Sequence, residues 1–109
     1  MSLHFLKIAP EYFSPLANGI KLFEIRKSDR DFKIGDLVML EEFNLKEKKY
    51  TGRAVCVTIM YVLTHEDFPL GIKPGFCVMS VKLRNMPPGV LGLLAKEGST
   101  DSSKEITNV

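Results

Sequence analysis

Apolar and polar residues alternate with a period of two in two separate stretches of this 109-residue chain. In residues 76–83, Cys77, Met79, Val81 and Leu83 fall on one side, and Val78, Ser80 and Lys82 on the other. In residues 21–27, Phe23 and Ile25 oppose Leu22, Glu24 and Arg26. Such alternation sends successive side chains to opposite faces of a strand, so both stretches predict strands. In residues 21–27 the apolar pair Phe23 and Ile25 is expected to be buried, with Glu24 and Arg26 opening onto a cleft. Residues 3–8 and 37–43 predict further strands, and the long apolar run 53–63, rich in Val, Ile, Thr and Tyr, predicts a central one. Pro10 opens a short helix, because proline has no N–H to leave unpaired in a first turn. Phe13 and Leu16 share one face of that helix, and Asn18-Gly19 closes it, Gly19 being free to take the left-handed conformation.

Between these elements, residues 28–36 read as charged turns, 44–49 as a basic loop, and 65–75, with Pro69, Gly71, Pro74 and Gly75, as a loop. After Pro87-Pro88-Gly89, a short apolar stretch is expected to pack as a turn of helix across the barrel end. Residues 95–109 are polar and Ser/Thr-rich and are expected to form a disordered tail, leaving one domain at 1–94. A strand, a helix and then four strands joined by turns point to a mainly β (α+β) fold. The expectation is a closed or nearly closed barrel of about five to six strands, which hides sheet edges, with one short helix after the first strand. Strand order is not legible from this pattern.

Net charge is +2, from 15 Lys and Arg against 13 Asp and Glu. That balance argues against a protein that coats long DNA, but leaves room for a local basic pocket. With no Trp, any base-stacking surface must use Phe, Tyr or His. Cys56 and Cys77 lie in apolar runs and read as buried free thiols. Without clustered His they make no zinc site, and neither a metal nor a cofactor is expected. The N-terminal residues lack a basic segment followed by a long apolar one, and no apolar run approaches the ~20 residues that span a bilayer. A cytoplasmic protein with no membrane partner is expected.

The chemistry-bearing stretch is Gly19-Ile20-Lys21-Leu22-Phe23-Glu24-Ile25-Arg26. Glu24 and Arg26, two apart on a strand, leave the same face about 6.6 Å apart. Lys21 falls at the helix-to-strand junction, within reach of either face. Arg and Lys can hold phosphate or carbonyl oxygens, and a carboxylate can accept from a base amino or imino group. Spacing alone equally fits an exposed ion pair that only solubilises a strand.

The pattern Gly19-x-Lys21-x-x-Glu24-x-Arg26 resembles the signature of the ASCH domain family, named for homology to an activating signal cointegrator. So do His4-x-Leu6-Lys7-Ile8, Pro10-Glu11-Tyr12-Phe13, Phe23-Glu24-Ile25-Arg26-Lys27, Asp29-Arg30-Asp31-Phe32, Gly35-Asp36 and Tyr50-Thr51-Gly52-Arg53. The set spans roughly residues 3–84 and resembles a small bacterial and phage subgroup of that family. The resemblance implies a PUA-like β-barrel with the motif lining a cleft between helix and barrel, and a ligand that is RNA or nucleotide-like. One branch of the family hydrolyses the acyl amide of acetylated cytidine with a Lys and a Thr of this motif and a distant Glu. Lys21 matches that lysine, but Glu24 stands where the threonine would be, and a carboxylate does not simply replace a hydroxyl nucleophile. Thr51 and Thr58 are hydroxyls outside the motif.

His4 can face the cleft as a base-contacting residue or serve as a partly buried structural histidine. His65 begins a loop. Arg30 can rim the cleft and meet a phosphate, or fold onto the carboxylates of its own turn. Lys46, Lys48, Lys49 and Arg53 form a basic run that reads as solvated charge or as an RNA backbone track. Phe43, Tyr50 and Tyr61 fit the core better than a stacking surface. The leading expectation is therefore a small nucleotide- or RNA-binding module using Lys21, Glu24, Arg26, His4 and Arg30. The alternatives are a small amidohydrolase on a modified nucleoside, with Lys21 and Glu24 as its catalytic residues, and an accessory module with a protein partner.

Overall fold

A computed structural model describes residues 1–100. In chain order it contains β1 (Leu3–Ile8), α1 (Pro10–Ala17), β2 (Phe23–Lys27), β3 (Leu37–Asn44), β4 (Lys49–Thr64), β5 (Phe76–Arg84) and a 3-10 turn (Leu91–Leu93). The strands form one sheet in the order β1-β3-β4-β5-β2. β1 runs parallel to β3, and the other pairs are antiparallel. A parallel pair needs a crossover, and α1 and β2 lie within it. The sheet is the expected mainly β fold with one short helix after the first strand, curled into a half-barrel. β1 and β2 stand at its two edges, and among the described residues no ladder joins them.

Two irregularities in β-pairing help the sheet curl. The register shifts between Glu41 and Phe43 on β3, and between Ile59 and Tyr61 on β4. Each such bulge bends a strand and increases its twist.

The inner face holds the main core: Ile8, Val38, Leu40, Val57, Ile59, Cys77, Met79 and Val81, closed by Phe13 and Leu16 of α1. The helix face inferred from the 13/16 spacing is the buried one. The outer face is covered at one end by the segment after β5, where Met86, Val90 and Leu94 pack on Phe5, Leu37, Met39 and Cys56. β3 therefore lies under α1 on one side and under this strap on the other, and every residue from Leu37 to Phe43 is buried. The turn of helix expected across the barrel end is a 3-10 turn within this strap, which lies on the outer face.

The backbone beyond residue 94 is tied to β4. Gly98 N–H donates to Tyr50 O at 2.8 Å, and Tyr50 N–H donates to Ser99 O at 2.9 Å. Ala95 N–H donates to Glu41 Oε2 at 3.4 Å. The remainder of the expected tail, residues 101–109, lies outside the described residues.

Candidate functional site

The turn after α1 sets Lys21 in place. Asn18 N–H donates to Ser14 O, and Gly19 N–H to Leu16 O. Gly19 takes φ +74°, a left-handed conformation that costs glycine little. Ile20 and Lys21 N–H then both donate to Pro15 O, at 2.8 and 3.0 Å. The chain enters β2 with Glu24 opposite Met79 and Arg26 opposite Cys77 on β5. Both partners belong to the inner core, so Glu24 and Arg26 point inward.

The alternation read from the sequence is present, but its sense is reversed. Glu24 is 1% exposed, Arg26 5% and Lys21 7%, whereas Phe23 is 45% exposed and Ile25 is only partly buried. The expected burial of Phe23 and Ile25 is thus corrected. The physical reason is that Glu24 bonds both cations inside the half-barrel, and each cation also donates to a backbone carbonyl. Arg26 donates from Nε and Nη2 to Glu24 Oε1, at 3.0 and 2.8 Å. Lys21 Nζ donates to Glu24 Oε2 at 2.5 Å and to Phe23 O at 2.7 Å. Arg26 Nη2 also donates to Lys7 O on β1, at 2.8 Å. Lys21 Nζ lies 4.8 Å from the centre of the Phe23 ring and 5.5 Å from that of Tyr12.

Both oxygens of Glu24 are engaged, which suits it to hold two cations in position rather than to read a ligand. Each cation keeps donors in reserve. Among the described residues, Arg26 Nη1 and one proton of Lys21 Nζ make no hydrogen bond. Burial pushes the Arg26 guanidinium below its ordinary value, against the pull of Glu24, and the like charge of Arg30 pushes the same way. Among the described residues, two buried cations on one buried carboxylate leave a positive charge without a second buried carboxylate bonded to it.

Arg30 thus stands close enough to Arg26 to be felt. It is partly exposed, 3.9 Å from Asp29 Oδ1, with its guanidinium 6.0 Å from the Phe32 ring. His4 is bonded elsewhere. Its Nε2 lies 2.9 Å from Asp36 Oδ2, and its ring packs on Phe32 at 4.9 Å. Asp36 also accepts from the N–H groups of Ser2 and Lys33. Burial pushes the Asp36 carboxyl up, but these bonds outweigh it and hold it below its ordinary value. His65 Nδ1 is paired with Ile72 O at 2.5 Å.

A second ion cluster has little signal in the sequence beyond the Thr51-Gly52-Arg53 triplet. Arg53 donates from Nε and Nη2 to the two oxygens of Glu42, each at 2.8 Å, and Thr51 Oγ1 donates to Glu42 Oε1 at 2.6 Å. The Arg53 guanidinium lies 4.6 Å from the Phe13 ring centre. Burial raises the Glu42 carboxyl, but the bonds from Arg53 and Thr51 bring it below its ordinary value. Lys46 lies apart from this cluster, at a groove of about 430 Å³ lined by Ala9, Pro10, Glu11, Asn44 and Leu45. Of the aromatics assigned to the core, Phe43 is buried and stacks edge-on with Tyr50 at 4.9 Å, but Tyr61 is 58% exposed.

Among the described residues no group of His, Cys, Asp and Glu is arranged to hold a metal ion, and no helix is long and apolar enough to cross a membrane. No curated protein matches the chain. A family model described as "Domain of unknown function (DUF3850)" matches residues 3–81, which hold all five positions Lys21, Glu24, Arg26, His4 and Arg30. The chain belongs to the DUF3850 family.

Proposed function

We propose that the protein is a small binding module for a nucleotide or RNA fragment, with Lys21 and Arg26 as the groups that hold its phosphate or carbonyl oxygens. The observation that carries this reading is the charge of the buried cluster: two cations at 5% and 7% exposure share one carboxylate. A buried cation that lacks a full counterion favours an anionic oxygen nearby, because burial strengthens each charge-assisted hydrogen bond. Arg30, beside Asp29 near the cluster, offers a further partly exposed guanidinium to an anionic ligand. The resemblance of residues 3–84 to the ASCH domain family, with its PUA-like barrel, supports the same ligand class. Glu24 takes the part of a clamp, and His4 the part of a structural residue bonded to Asp36.

The amidohydrolase alternative draws support from the direct Lys21–Glu24 bond. Against it, Glu24 stands at the motif position where the related hydrolases keep a threonine, and Thr51 is committed to Glu42. The test of the binding reading is calorimetric titration of the protein with nucleoside monophosphates. Binding in the micromolar to millimolar range that disappears in Lys21→Met supports it. No affinity up to millimolar ligand overturns it and favours a module that binds a protein partner.

A further inference from the structure

The outer face of the half-barrel is covered over only part of its width. The strap after β5 lies over Phe5, Leu37, Met39 and Cys56. Over β2, β5 and the second half of β4, the described residues leave it open. There the register lines up Phe23, Ser80 and Tyr61 in one row across three strands, and Ile25, Val78 and Leu63 in the next. Phe23 and Tyr61 are 45% and 58% exposed, and Ser80 between them is too small to screen either ring. Two strand spacings separate the backbones that carry the rings, about 10 Å.

The charges at the outward strand positions of this face have one sign, with Glu66 and Asp67 in the turn beyond β4. The outward positions of β2, β5 and residues 61–64 of β4 include Lys27, Lys82 and Arg84, all exposed, and no carboxylate. A second copy of the chain docked there about a two-fold axis would bring one cationic face against another, with no carboxylate on these strand positions to pair with. A partner that is negatively charged and presents flat apolar faces fits better: aromatic side chains flanked by cations are how single strands are held without sequence preference. The face is also continuous with the buried cluster, since the Lys21 ammonium lies 4.8 Å from the Phe23 ring centre.

We propose that this open face is a stacking surface for single-stranded nucleic acid, and that a strand held by a phosphate at Lys21 and Arg26 continues across Phe23 and Tyr61. The inference rests on the binding reading above and narrows its ligand class from a nucleotide or RNA fragment to a single-stranded oligonucleotide.

The test compares a labelled single-stranded octaadenylate with adenosine monophosphate by fluorescence anisotropy and competition. The octamer should bind at least about tenfold more tightly than the monophosphate. Tyr61→Ala should weaken the octamer about tenfold and leave the monophosphate unchanged. Lys82→Gln should make the salt dependence of octamer binding shallower by about 0.7, the slope expected for one phosphate on a single strand. If the monophosphate binds but Tyr61→Ala leaves octamer affinity intact, the outer face is not the surface and the inference falls, while the Lys21 site stands. If the monophosphate fails to bind at all, the Lys21 site itself falls. Concentration-dependent dimerisation that Tyr61→Arg abolishes, without effect of nucleic acid, would assign the face to a second copy and overturn the inference.

Discussion

Arg26 on one edge strand donates a 2.8 Å hydrogen bond to the carbonyl oxygen of Lys7 on the other. The sheet order β1-β3-β4-β5-β2 leaves those two edges unpaired with each other, so this side chain spans the gap that a closed barrel would fill with a ladder. Glu24 holds the guanidinium in that position, and Lys21 holds Glu24. The candidate ligand groups are therefore also the groups that join the two ends of the fold.

Removing Arg26 should cost more than a surface ion pair would. Arg26→Leu leaves Glu24 buried with one cation instead of two and opens the bridge to β1. Lys21 still pairs with Glu24 in this variant, so what is lost is a set of charge-assisted hydrogen bonds, about 1.5–3 kcal/mol, against ~1 kcal/mol or less for an exposed pair. Urea denaturation should show this loss. A double-mutant cycle with Glu24→Gln should return a coupling of about 1–3 kcal/mol.

Phe23 and Phe13 should separate cleanly in the same assay. Phe13 is 4% exposed in the inner core, and Phe13→Ala should cost about 3–5 kcal/mol. Phe23 is nearly half exposed, and Phe23→Ala should cost about 1 kcal/mol. Equal losses would mean that the Phe23 ring is buried in solution.

Much of the local structure was legible in the sequence. The bounds of β1 and of the helix opened at Pro10, and the inward set Cys77, Met79 and Val81, follow from local signals: proline at a first turn, a left-handed glycine and period-two alternation. The alternation of Phe23, Glu24, Ile25 and Arg26 was legible too, but not which side faced inward. Period alone identifies two faces; the burial of one is decided by partners elsewhere, here Lys21 and the Lys7 carbonyl. Burial of Glu42 was hidden for a similar reason. It follows from the Thr51 and Arg53 side chains nine and eleven residues on, together with α1 packed against β3. Strand order depends on pairings between distant segments, such as Leu3 with Leu37, that no local pattern encodes.

Acid should weaken the fold through Asp36 and Glu42. Both carboxyls are held below their ordinary values of 3.8 and 4.5 in the folded protein. A group depressed in this way contributes its full stabilisation above its unfolded value and loses it as the pH falls through the lower folded value. Denaturation midpoints should therefore be flat above those two values and fall below them. Asp36→Asn should lower stability at neutral pH and flatten the acid limb; an unchanged acid limb would show that the Asp36 bonds to His4, Ser2 and Lys33 do not persist in solution.

Cys56 and Cys77 should resist thiol reagents in the native state. Both are 2% exposed or less, and burial pushes both thiols above their ordinary value, which starves them of the reactive thiolate. Labelling with a disulfide reagent should proceed only as fast as the fold opens and should become immediate in denaturant. Rapid labelling of the folded protein would contradict the packing of both faces.

The most direct test of the account is a nitrogen-15 NMR titration of the full chain with adenosine monophosphate, following the Arg26 Nε–H signal alongside the backbone amides. The account predicts saturable shifts at Arg26 Nε–H, Lys21 and β2, all lost in Lys21→Met while the rest of the spectrum stays folded. Shifts confined to Ala9, Glu11 and residues 44–46 at the groove beside α1, or no saturable shift at all up to millimolar ligand, would contradict it.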